Sequence, residues 1–68
     1  MDPYTLNRNI KKYLREKKIR KCDFARRIGK SPQVVSNMVH NKRKIYADEI
    51  LPICKALGVS VAEIYAEN

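Results

Sequence analysis

The stretch Gly29-Lys30-Ser31-Pro32 constrains this chain more than any other. Glycine reaches the left-handed backbone that closes a helix at no steric cost, so Gly29 is a natural end for the segment before it. Serine accepts from the free N–H groups of a helix start, and proline at the first helical position loses no useful hydrogen bond. One helix must therefore stop and another begin within about three residues. The new helix clears charge from its length, for no charged side chain lies between Ser31 and Val39, and three basic residues follow it at Lys42, Arg43 and Lys44.

The other segments also read as helices, and none shows sustained period-two alternation. Leu6, Ile10, Tyr13 and Leu14 recur at helical spacing, with Arg8, Lys11, Lys12 and Arg15 on the other side. This predicts an amphipathic first helix that starts after Asp2-Pro3 or Thr5 and fades near Lys17. Phe24, Ala25 and Ile28 mark the inner side of the second helix, and Val35, Met38 and Val39 that of the third. A fourth runs from about Asp48 to Leu57 and stops at Gly58, with Ile50, Leu51, Ile53, Cys54 and Leu57 inward and Pro52 in or near its first turn. Ser60 and Glu63 have capping-box spacing and open a fifth helix carrying Ile64 and Tyr65. The fold class expected is all-α, one compact five-helix domain over residues 1–68.

Sixty-eight residues need an economical core or covalent staples. Staples are not indicated, since Cys22 and Cys54 are the only cysteines and no signal-peptide pattern opens the chain. Cys54 reads as a small core residue and Cys22 as a surface thiol. With His40 they do not make metal-ligand spacing, and no metal, cofactor or small-molecule ligand is expected. Apolar runs are too short to span a bilayer, so a soluble, cytoplasmic domain is expected. One histidine, no catalytic spacing and no glycine-rich phosphate loop argue against an enzyme.

The net charge of +8 is unevenly spread. Residues 1–44 carry 14 Lys and Arg against 3 Asp and Glu, whereas residues 45–68 carry 1 against 4. A concentrated positive surface suits a polyanion, because each phosphate neutralised releases condensed counterions; a merely solubilising surface is the plainer alternative. The short glycine turn between two helices, over about residues 20–40, is the pattern of a helix-turn-helix, whose second helix enters the DNA major groove. A helix in that groove must offer hydrogen-bonding groups to base edges, and a lysine there would mostly favour phosphate. With Val35 and Met38 inward, the outward face is Pro32, Gln33, Ser36, Asn37 and His40. Gln33 and Asn37 lie one above the other, and each carries an amide able to pair bidentately with adenine. Lys42, Arg43 and Lys44 fall where the chain crosses back over the phosphates, and Lys30 in the turn could reach one too.

Three segments, Phe24-Ala25 with Ile28-Gly29, Ser36-Asn37-Met38 followed by Asn41-Lys42-Arg43-Lys44, and Leu57-Gly58-Val59-Ser60-Val61, resemble the Cro/C1-type (XRE-like) helix-turn-helix family of phage repressors. The similarity spans roughly residues 5–67. It implies a lambda-repressor-like five-helix domain that binds a palindromic operator in double-stranded DNA as a homodimer. It places Gln33, Ser36 and Asn37 at base-reading positions. Arg20 and Lys21, and the loop His40, Asn41, Lys42, Arg43 and Lys44, fall at phosphate-contacting positions. Lys21 stands where the family often has glutamine, and Pro32 where some relatives carry a base-reading glutamine. Leu14 and Val39 stand where the family often pairs arginine with glutamate, and the alignment predicts that these two apolar side chains touch.

Each assignment has a plainer reading. Gln33 and Asn37 could be ordinary surface amides, Ser31 is a cap rather than a reader, and Lys42 to Lys44 could be a solvated loop. Lys11, Lys12, Arg15, Lys17 and Lys18 read as a solvated helix face, and Tyr46 as packing. The function expected is a sequence-specific regulator, most simply a repressor of phage or mobile-element type. An antitoxin or restriction-system controller would use the same domain, and a protein-interaction module or nonspecific cationic binder is the alternative of another class.

Overall fold

Five helices follow one another, α1 (Thr5–Glu16), α2 (Lys21–Ile28), α3 (Pro32–Val39), α4 (Ala47–Leu57) and α5 (Val61–Ile64), with no strand among the described residues. The computed structural model describes residues 4–66 and has Tyr4, the residue after Asp2-Pro3, in a turn just before the first helix. Within them α1 begins at Thr5, after Tyr4, which provides no side-chain cap.

The helix ends share one device. After α2, Gly29 adopts φ 71°, and the Lys30 N–H reaches back to the Ala25 carbonyl at 2.9 Å. Gly58 closes α4 likewise at φ 70°, with the Val59 N–H on the Cys54 carbonyl at 3.1 Å. A Cβ at either glycine would meet nothing within 4 Å, so backbone conformation and not space demands glycine. Helices α1 and α3 end the same way without glycine. Lys18 (φ 56°) and Asn41 (φ 58°) take the left-handed position, with Ile19 N–H to Leu14 and Lys42 N–H to Asn37, both at 2.9 Å. Repeating this closure lets short helices turn sharply without leaving orphan carbonyls.

Every helix contributes to one core: Ile10 and Leu14, Phe24 and Ala25, Val35, Met38 and Val39, Ile53, Cys54 and Leu57, and Ile64. Helix α2 packs on α3 and α4, α1 on α3 and α5, and α4 on α5. Leu14 and Val39 belong to this core and border the same hollow of about 240 Å³ between α1, α3 and the start of α2. The four-residue α5 is too short to stand by itself. Its Ser60–Glu63 capping box closes at 3.1 Å in both directions, and the buried Asn9 Nδ2 donates to the Ile64 and Ala66 carbonyls at 2.6 and 2.8 Å.

Two expectations for α4 are corrected. Leu51 is 63% exposed and not inward, because the buried stripe runs through Glu49, Ile53, Cys54 and Leu57. Pro52 is the sixth residue of the helix, beyond the first turn. Its ring removes the N–H that would serve the Asp48 carbonyl, and both residues lie on the exposed side, where water can substitute.

Candidate nucleic-acid interface

The third helix takes its orientation from its apolar residues. Val35 and Met38 are fully buried and Val39 nearly so, which turns the opposite side outward. Ser31 Oγ accepts from the Val34 N–H at 3.3 Å, with Pro32 at the first helical position, so the serine acts as a cap. On the outer side Pro32, Gln33 and His40 are exposed, and Ser36 and Asn37 half-buried. Gln33 Nε2 donates to Asn37 Oδ1 at 3.3 Å, leaving Gln33 Oε1 and Asn37 Nδ2 facing away from the pair. His40 folds back on the helix, its Nδ1 2.8 Å from the Ser36 carbonyl and 3.3 Å from Ser36 Oγ. Since a carbonyl only accepts, the hydrogen belongs on Nδ1 and Nε2 is the outward nitrogen.

Cations bracket this uncharged strip. Arg20 and Lys21 are exposed at the start of α2, where the cap position brings no side-chain acceptor to the first-turn N–H groups. Beyond α3, Asn41, Lys42 and Lys44 are exposed. Arg43 differs. Its guanidinium approaches Glu49 with Nη1–Oε1 at 3.0 Å and Nη2–Oε2 at 2.9 Å, and it lies 5.5 Å from the centre of the Tyr46 ring. The first contact is an aligned hydrogen bond, while the second is an ion pair whose angle leaves Oε2 without a well-directed donor. Lys30 Nζ stands 3.9 Å from the same Oε2, at the long limit of an ion pair.

Burial raises the Glu49 carboxyl, but the Arg43 hydrogen bond, the Tyr46 N–H at 3.0 Å and the Arg43 and Lys30 charges together hold it below its ordinary value. The Arg43 hydrogen bond to Glu49 raises the guanidinium in turn. Glu49 thus supplies one half of a capping box for α4. Tyr46 holds the cap position without a side-chain oxygen in reach, so the Glu49 N–H turns to the Tyr46 carbonyl at 2.9 Å. Tyr46 is itself 61% exposed, a shelf for Arg43 more than part of the core.

Two features here escape a reading of sequence. Asn7 is completely buried, and its Nδ2 donates to the Met38 carbonyl at 2.8 Å and the Arg43 carbonyl at 2.6 Å, tying α1 to the end of α3 and to the basic loop. The available signal was its place three residues before Ile10 and seven before Leu14, on the core stripe. Glu49 had no comparable signal, since its partner comes from an irregular loop. Cys54 is buried and Cys22 exposed, and no group of three or more metal-ligating side chains gathers among the described residues.

Two short helices held across a three-residue turn, the second presenting neutral hydrogen-bonding groups between cationic ends, define a helix-turn-helix protein. Residues 9–66 match the model of the Cro/C1-type HTH DNA-binding domain. That is most of the chain, which belongs to this family and is a DNA-binding regulator. No curated protein and no solved structure matches it significantly. No helix among the described residues is long and apolar enough to cross a membrane.

Proposed function

We propose that this chain is a sequence-specific transcriptional regulator, acting as a repressor of phage or mobile-element type that occludes a promoter. The observation that carries the reading is the outward amide pair on α3, Gln33 and Asn37, on a helix whose other side is locked into the core. Rigid backing matters, because a base reader must hold its hydrogen-bonding atoms in register with the groove. Each well-formed amide–base pair contributes about 1–3 kcal/mol of discrimination, and breaking the Gln33–Asn37 contact costs only about 0.2–0.5 kcal/mol. Ser36 lies between them as a lesser reader.

Phosphates are taken by Arg20 and Lys21, whose helix start also offers N–H groups, and by Asn41, Lys42 and Lys44. With its hydrogen on Nδ1, His40 offers Nε2 as an acceptor and contacts a phosphate there only when both ring nitrogens carry hydrogen. Lys30 and Arg43 share their charge with Glu49 and enter the surface on different terms. The regulator works as a homodimer through its acid-richer C-terminal third, where Leu51 and Val61 are exposed apolar side chains. Its palindromic half-sites lie about one helical turn apart. The whole chain acts as one domain in the cytoplasm, at the nucleoid, and its work is binding.

Selection of sites from a random DNA pool tests this reading, with an adenine-containing palindrome as the expected product. Gln33→Ala with Asn37→Ala should remove the preference for that site over random DNA while weak binding persists. Equal losses on both DNAs would refute base reading by α3.

A further inference from the structure

Arg43 stands in the middle of the basic run, yet the fold holds it from both ends. Its carbonyl accepts from Asn7 Nδ2 at 2.6 Å, and its guanidinium is paired with Glu49 over Tyr46. Its side chain is 26% exposed, and that of Glu49 only 8%. Lys42 and Lys44, on either side, are exposed and make no ion pair among the described residues. We infer that Glu49 is a positioning residue of the DNA surface: it withholds Arg43 from the phosphates and uses it to brace the loop, which then presents Lys42 and Lys44 alone. The inference rests on the DNA-binding reading above.

The physical reason is an unequal competition. A phosphate recruiting Arg43 would strip a nearly buried carboxylate of its hydrogen-bonded partner, and an unpaired buried charge is strongly unfavourable. What it would gain is attraction at the rim, where solvent and salt screen it. Lys42 and Lys44 leave no such charge behind. Glu49 also lies within 3.9 Å of Lys30, in the turn before α3, so one carboxylate tempers the positive charge at both ends of the reading helix. Fewer phosphate contacts for the same base contacts lower the affinity for all sequences about alike and leave the base contacts a larger share of what remains.

The test is the salt dependence of binding to a random-sequence duplex, followed by fluorescence anisotropy, because its slope counts phosphates neutralised. Lys42→Ala should make the slope shallower by about 0.9 per protomer bound. The double change Arg43→Gln with Glu49→Gln keeps the net charge and should leave the slope no shallower than that of the wild type. Glu49→Gln alone should steepen it by about 0.9 more than Asp48→Asn, which removes the same charge from an exposed neighbour. If the double variant loses as much slope as Lys42→Ala, Arg43 is a phosphate ligand and the inference is overturned. If the double variant does not fold by thermal melting, equal slopes for Glu49→Gln and Asp48→Asn overturn it instead. A wild type without sequence preference refutes the sequence-specific reading on which the inference rests, and a Lys42→Ala slope equal to the wild type's refutes the placing of the basic loop on the phosphates.

Discussion

Replacing Asn7 by alanine removes one side chain that holds three parts of the molecule together. The Arg43 carbonyl loses its donor among the described residues, at a cost of about 1–3 kcal/mol. The Met38 carbonyl keeps the Asn41 N–H at 3.3 Å and loses about 0.5–1.5 kcal/mol. Two terms oppose this: alanine is the better helix former by about 0.5 kcal/mol, and the buried Asn7 Oδ1, which has no partner among the described residues, disappears for a gain of about 1 kcal/mol. The net loss is about 0–3 kcal/mol, centred on about 1.5, which is roughly 6–12 °C in Tm for a domain of this size. Asn7→Asp separates hydrogen bonding from simple packing. A carboxylate there would face two carbonyls, so the carboxyl must take up a proton on folding, at a cost of about 3–5 kcal/mol at pH 7, close to the whole stability of such a domain. That carboxyl is held protonated in the folded state, so its folded value is raised. The deficit against wild type is therefore smallest below the unfolded value of about 3.9 and grows as pH rises. Thermal melts followed by circular dichroism at pH 7 and pH 3 measure both changes. Equal destabilisation by alanine and aspartate at pH 7, or an alanine variant more stable than wild type, refutes the role given to the Asn7 amide.

The native Glu49 carboxyl lies below its ordinary 4.5, so its contribution is present above that value and is lost as pH falls through the folded value. Glu49→Gln should be less stable than wild type at pH 7 and lose that difference in acid; urea midpoints across the range would show a constant gap if the carboxylate were irrelevant. Lys18→Gly relieves a left-handed lysine at φ 56° and should stabilise by about 0.5–1 kcal/mol, an increase absent if that backbone costs nothing. Leu51→Ala should change monomer stability by less than about 0.5 kcal/mol, whereas Ile53→Ala, at 1% exposure, should cost about 2–5 kcal/mol. Comparable losses in denaturant unfolding would place Leu51 back inside.

The sequence by itself determined the helices and their punctuation. Gly29, Ser31-Pro32, Gly58 and the Ser60–Glu63 pair act through bonds to backbone no more than five residues away, so their chemistry is visible without knowing the fold. It also determined the outward side of α3, because Val35 and Met38 leave one consistent phase. In α4 too many apolar residues crowd together for phase to be read, and only packing decided that Leu51 faces out. Tertiary structure alone decided what the polar groups do. Asn7 reaches a carbonyl 36 residues away, and Arg43 turns from the solvent to Glu49 because the end of α3 and the start of α4 bring the two together. Burial reverses ordinary preferences at such places: an amide or carboxylate that would choose water must take whatever partner the fold sets beside it.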